Sequence, residues 1–399
     1  MEKRHKRWGL GAALMLATGS LLAMGMAAVP AANASTNPNA CTQQPRSGHI
    51  AGIVPALGNC TGTSTGTSTR TSTGTSAGVN AAVKASDPAT GTPPLLFNGG
   101  SVMMTPSTSP LVITPIFWNP AGYPMSLSYK ALLTLYLGDV SLASGQNSNV
   151  FSVLNEYYGN NGQIHYNIRL GLPVNDTNPL PPSGCTVAST DTANIYADGS
   201  GYSACLDDSQ VQAETDKVTA ARHLPHNLSH VYVLYLPKHV ESCFNPGSTT
   251  TNANACTINY QPSAAYCAYH SEDASKAVYA NMPYPVYLSK TGFTCGTDIT
   301  YGVIESPNHN PDADVEISPT SHEVSEAITD PDTMTGWYDS SGYEIGDECA
   351  YVFGPTQGSA GHLYNQDING LHFLTQEEFS NRDFAITGGG CVQSASAEA

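Results

Sequence analysis

The stretch ISPTSHEVSEAITDPDTMTGWYDSSGYEIGDEC, residues 317–349, decides how the rest of the chain is read. Ser318 is a good N-cap, and Pro319 suits the first helical position, where its missing N–H would be unpaired anyway. Pro331 stops the run. The spacing therefore predicts a helix of about three turns over Pro319–Thr329. At 100° per residue, Val324, Ala327 and Ile328 share one face, and His322, Glu323 and Glu326 share the other. His322 and Glu326 are four apart, so both can reach one ion. Glu323 stands beside them, where a general base for an attacking water belongs.

This H-E-x-x-E spacing is the geometry of H-E-x-x-H metallopeptidases with glutamate in place of the second histidine. Zinc is bound by carboxylate oxygen as well as by imidazole nitrogen, and zinc is the expected cofactor. The extra carboxylate adds negative charge, so water at this site should be less acidic than at a two-histidine site. A third ligand must come from elsewhere. Glu344 and Asp347, in the E-I-G-D just ahead of Cys349, are the candidates. In an extended segment residues three apart point to opposite faces. Asp347 is preferred as ligand, with Glu344 available to orient His322 from behind. The competing reading is a capped, amphipathic surface helix whose polar face meets only solvent.

The remaining chemistry is less specific. Oxyanion donors could come from Tyr338, Tyr343, His362 or His372, although tyrosine is abundant (21 residues) and any one of them is more simply a packed side chain. His270, in CAYH, reads first as a hydrogen-bonded structural histidine. The alternating acids of Asn310–Glu316 suggest a calcium loop but lack the full EF-hand pattern, so a solvated loop is expected there. No G-x-S-x-G elbow is present. A carboxylate pair of glycosidase type stays open, because acids are plentiful and sequence gives no separations.

Composition sets the context. The chain has 399 residues with 15 Lys+Arg and 32 Asp+Glu. Lys3, Arg4, Lys6 and Arg7, the apolar run Leu10–Val29 and Ala32-Asn33-Ala34 form a secretory signal peptide, expected to be removed after residue 34. Its removal leaves 15 − 4 = 11 basic against 32 − 1 = 31 acidic residues. Such a balance excludes nucleic-acid binding through a basic surface. No later run is apolar and long enough to span a bilayer, so a secreted, extracellular protein is expected. The ten cysteines fit that setting as disulfides. Nearest-neighbour pairing would join 41–60, 185–205, 243–256, 267–295 and 349–391, and an oxidised set leaves no cysteine nucleophile.

Residues 35–93 hold an Asn/Pro-rich piece and a Thr/Ser/Gly linker, and residues 94–399 form the globular domain. Leu111–Trp118 and His230–Leu236 read as buried strands, Ile164–Leu172, Ala265–His270 and Ala277–Tyr284 as further strands, and Ser126–Leu142, Val150–Tyr158 and Asp207–His223 as helices. Gly342–Val352 and His372–Thr375 read as short strands or loops. The order predicts an α/β (α+β) fold, a mixed sheet flanked by helices.

From about 110 to 392 the chain resembles microbial secreted relatives of the EXORDIUM/phosphate-induced protein family. PIFWN at 115–119, VYVLYLP at 231–237, CAYH at 267–270, NMPYP at 281–285, SHEVSEAITDP at 321–331, GWYDSSGYEIGDEC at 336–349, and QEEFSN with Cys391 carry the resemblance. It implies a zincin-like, metal-dependent hydrolase fold acting on a peptide or protein. Plant members, associated with cell-wall growth and signalling, can lack the histidine–glutamate pattern, so the resemblance also admits a non-catalytic extracellular protein that binds a wall polymer or a receptor. A glycan-active or glycan-binding protein is the third reading.

Overall fold

The strand Leu111–Trp118 (β1) forms over the residues its apolar, β-branched run predicts, and every residue but Val112 is buried. It sits between His230–Tyr235 (β4) on one side and two short strands, Ile168–Leu170 (β2) and Val174–Asp176 (β3), on the other. The computed structural model describes residues 86–187, 192–244, 255–257, 266–290 and 293–396, and the backbone of a strand at Ala56–Leu57. The sheet continues from β4 to Val278–Met282 (β6) and ends at Tyr269–Glu272 (β5). All pairings are parallel except β5 with β6. This is a mixed sheet flanked by helices. Near-continuous apolar strands are what a parallel sheet covered on both faces requires.

Alternation along the strands divides the core in two. Ile113, Phe117, Val231, Val233, Tyr235, Val278 and Ala280 face one way, under helices Leu127–Leu142 (α1) and Pro311–Thr329 (α3). Ile116, Trp118, Tyr232, Leu234, Tyr269 and Tyr279 face the other, under Asp208–Ala221 (α2). Both α1 and α2 are capped at their N-termini: Ser126 accepts from the Tyr129 N–H, and Asp207 forms a reciprocal capping box with Gln210. Val150–Glu156 is a 3₁₀ helix rather than an α-helix, and the strand expected over Ile164–Leu172 is reduced to β2. Gly342–Val352 is a turn leading into the 3₁₀ helix Asp347–Cys349, and Leu371–Phe373 is a hairpin strand.

The central correction concerns α3. It starts at Pro311, with Asn310 as N-cap, and runs through Pro319 to Thr329, 19 residues in all. Asn310-Pro311 offers the same start signal as Ser318-Pro319, so sequence could not choose between them. Pro319 withholds an N–H from the Val315 carbonyl and works against the helix by about 3 kcal/mol. Burial on every side offsets this: 17 of its residues are buried. The surface-helix reading fails for that reason. So does the loop reading of residues 310–316. Asp314 accepts from Ser306, Asn308 and Asn310, and Asp312 takes the Tyr284 and Tyr287 hydroxyls.

Four of the expected disulfides are present: Cys185–Cys205, Cys243–Cys256, Cys267–Cys295 and Cys349–Cys391. The expected 41–60 pair, the signal peptide and most of the linker lie outside the described residues. The segment before residue 94 is partly tied to the body. Asp87–Pro88 pairs with Gly390–Cys391, and Ala56–Leu57 with Phe293–Thr294. Among the described residues no helix is long and apolar enough to cross a membrane, and no cysteine is free.

Candidate metal centre

Three elements aim ionisable groups at one point beneath the sheet. Helix α3 supplies His322, Glu323 and Glu326 from its polar face. Strand β5 supplies His270. Its register partner is Ala280, which belongs to the α3-side core, so the period-2 alternation that turns Tyr269 toward α2 turns His270 toward α3. The turn before Cys349 supplies Glu344 and Asp347. It is not extended, so the two acids point inward together. The disulfide to Cys391 pins that turn.

The side chains converge closely. His322 Nε2 is 2.9 Å from Glu326 Oε1 and 3.6 Å from Asp347 Oδ1. His270 Nδ1 is 3.4 Å from Glu323 Oε2 and 3.6 Å from Glu326 Oε2, and its Nε2 is 3.8 Å from Glu344 Oε1. All six residues are at most 2 % exposed. Two sets of ligand-type atoms fall within 4.8 Å of one another, His322/Glu323/Glu326 and His270/Glu326/Glu344. The 2.9 Å approach of His322 Nε2 to Glu326 Oε1 is poorly aligned for a hydrogen bond.

The ionisation pattern is that of a crowded, buried acidic cluster. Burial pushes Glu344 and Asp347 well above the usual carboxylate range, and the Glu326 charge adds to both. Burial likewise raises Glu323. Burial also acts to raise Glu326, but His322 and His270 outweigh it and hold that group at about 2. Burial opposes charge on the imidazoles too, yet the carboxylates raise His270 and bring His322 to about 10.

The tautomers test whether a cation fits. His270 Nε2 lies 3.1 Å from the Asp330 carbonyl, which can only accept, so Nε2 carries a proton and Nδ1 of the neutral ring would be the free donor atom. A backbone carbonyl on the far nitrogen is how ligand imidazoles are commonly oriented. His322 differs. Gln376 Nε2 donates to the Gly346 carbonyl at 2.7 Å and to His322 Nδ1 at 2.9 Å, which places the ring proton on Nε2. Ligation through Nε2 therefore requires the Gln376 amide to turn over. Its Oε1, buried without a partner, would then take the Nδ1 proton, and the Gly346 carbonyl would keep the Cys349 N–H at 3.0 Å. With that turn the donor set fits a divalent cation.

The other expected site residues lie elsewhere. Tyr338 pairs with Leu96 and feels the charge of Asp330. His372 is on a surface hairpin, stacked on Tyr364 at 3.7 Å and 3.9 Å from Asp367. His362 bonds the Ser306 carbonyl. Glu344 faces His270, not His322, and Gln376 takes the orienting place beside His322. Sequence reading missed Gln376 and the wholly buried Glu378, whose pKa is raised by burial. The polar run Gln376-Glu377-Glu378 between apolar Leu374 and Phe379 was the available signal. The chain matches no family model, no curated protein and no solved structure.

Proposed function

We propose that the protein is a secreted, zinc-dependent hydrolase of zincin-like type, a microbial relative of the EXORDIUM group acting on peptide bonds. The observation that carries this reading is the approach of Glu326 and Asp347 to His322 Nε2, at 2.9 and 3.6 Å, with all three residues buried. A divalent cation there would polarise the scissile carbonyl and acidify a water. Glu323, one residue from His322 on the same helix, would accept the water's proton and return it to the leaving amine. A cleft of about 740 Å³, lined by Pro331, Asp332, Met334 and Thr335 after α3 and by Glu272 at the end of β5, lies beyond the C-terminal end of this helix, with none of the cluster residues in its lining. Pro331 adjoins Asp330, whose carbonyl holds His270.

Metal analysis of the purified protein tests the reading together with the Glu323→Gln variant. The expected outcome is bound zinc and peptidase activity lost in the variant with the metal retained. A protein without metal, or proteolysis untouched by Glu323→Gln, refutes it. One observation favours a second reading: the ligand-type residues are at most 2 % exposed. In that reading the cation is a strut inside a non-catalytic extracellular protein, and metal is found with no hydrolysis.

A further inference from the structure

We propose that the centre holds two divalent cations rather than one, the second bound by His270 Nδ1 and Glu344 and bridged to the first through Glu326. This rests on the reading of a cation at His322, Glu326 and Asp347.

Glu326 divides its two oxygens between two imidazoles. Oε1 faces His322 and accepts from the Asp347 N–H at 3.1 Å. Oε2 faces His270 at 3.6 Å and has no hydrogen-bond partner. A carboxylate offering one oxygen to each of two donor sets is the bridge of a two-metal site, in which the cations lie about 3.5–4 Å apart.

His270 gives an observation independent of the acids. Its proton-bearing Nε2 is committed to the Asp330 carbonyl, and Nδ1, on a residue 1 % exposed, points into the cluster without a partner. The contacts of 3.4 and 3.6 Å from Nδ1 to Glu323 and Glu326 are longer than a good hydrogen bond. The 3.6 Å from Nδ1 to Glu326 is close to the spacing of about 3.4 Å between two ligands on one tetrahedral cation with bonds of about 2.1 Å. Glu344, with both oxygens buried and without a hydrogen bond, lies 3.8 Å from the Nε2 edge of the same ring and falls with His270 and Glu326 in one set of ligand-type atoms within 4.8 Å of one another.

Charge points the same way. Glu323, Glu326, Glu344 and Asp347 are all enclosed, and no lysine or arginine is buried among the described residues. With neutral imidazoles, as ligation requires, cations would be the counter-charge for these carboxylates and for Glu378, which lies against the same groups.

The test uses the full chain, chelated and then dialysed against Mn²⁺. The expected result is two Mn²⁺ bound per chain with an exchange-coupled electron paramagnetic resonance spectrum. One Mn²⁺, uncoupled, overturns the two-cation centre and leaves the proposed function standing. No Mn²⁺ and no Zn²⁺ overturns both. Glu344→Gln, which keeps shape and removes charge, should lower binding to one equivalent and abolish the coupling. Two equivalents in that variant would remove Glu344 from the site. The wild-type stoichiometry decides the proposal even where a variant fails to fold.

Discussion

Gly346→Ala should damage the centre without touching a ligand. Gly346 has φ −78° and ψ −40°, a conformation open to any residue, so glycine is needed here for room and not for backbone freedom. A β-carbon would lie 2.6 Å from His322 Nδ1, 2.7 Å from Cγ and 2.9 Å from Cε1. Comfortable contacts are about 3.5–4.0 Å, so the ring must retreat by roughly 1 Å. It has nowhere to go. Glu326 and Asp347 stand at Nε2, 2.9 and 3.6 Å away, and Gln376 at Nδ1. Overpacking of this kind costs about 1–3 kcal/mol. Displacing an oriented ligand lowers metal affinity by about 10–100-fold. Urea unfolding of the chelated protein reads the first effect, and zinc titration the second. Gly138→Ala is the control. On α1 its new β-carbon meets only Leu170 Cδ2 at 3.6 Å, so the substitution should add about 0.5–1 kcal/mol through helix propensity. Unchanged stability and unchanged zinc affinity in Gly346→Ala would refute the claim that the turn is packed against the imidazole.

Three further outcomes follow from the same geometry. Chelation should lower stability by about 4 kcal/mol relative to protein held in zinc at 1,000 times its dissociation constant, read as a shift in the urea midpoint; an unmoved midpoint counts against a cation in the native state. Replacing Cys349 and Cys391 by alanine opens a loop with a sequence separation of 42 residues and should cost about 4 kcal/mol in denaturant unfolding, since that bond limits the unfolded chain. Glu156 is raised by burial from its ordinary 4.5 to about 7, so the stability it permits is full below pH 4.5 and is lost as pH rises through 7. Glu156→Gln should therefore remove a loss of the order of 2–3 kcal/mol between pH 4.5 and 8, and a variant with the wild-type pH slope would rule this out.

How much of this was legible in sequence depended on whether the signal was local. Leu111–Trp118 announced itself because a buried parallel strand needs an unbroken apolar run. The helices expected over Ser126–Leu142 and Asp207–His223 formed at Leu127–Leu142 and Asp208–Ala221, because their apolar spacing is local. The four described disulfides joined nearest neighbours, which short loops favour. The start of α3 was not legible, because Asn310-Pro311 and Ser318-Pro319 carry the same local signal and only packing on all sides tolerates Pro319 inside. The site was half legible. His322, Glu323 and Glu326 share a helical face by periodicity alone, and the turn carrying Glu344 and Asp347 could be suspected from its acids. His270, 52 residues before His322, reaches the cluster only through the pairing of β5 with β6, a non-local fact. Gln376 was hidden for the same reason.

The distinction between a metal centre and an ordinary buried ion network turns on what the unfilled contacts demand. A network without a cation satisfies its members by pairing each proton donor with an acceptor. Here the pairing is incomplete in a directional way. His270 Nδ1 and both Glu344 oxygens are enclosed with no hydrogen bond, although donors such as the Gln376 amide and the Asp347 N–H are committed close by to His322 and Glu326. A cation ligated by Nδ1 would satisfy both the imidazole nitrogen and the carboxylate oxygens 3.4 to 3.6 Å from it. Glu326 is the residue on which this weighs most: it is the one carboxylate of the set held below its ordinary range, at about 2, and it alone touches both imidazoles. Glu326→Gln should therefore abolish metal binding altogether, whereas Glu344→Gln or Asp347→Asn should weaken it in part. Equal losses from all three would mean that the cluster acts through total charge and not through the bridge.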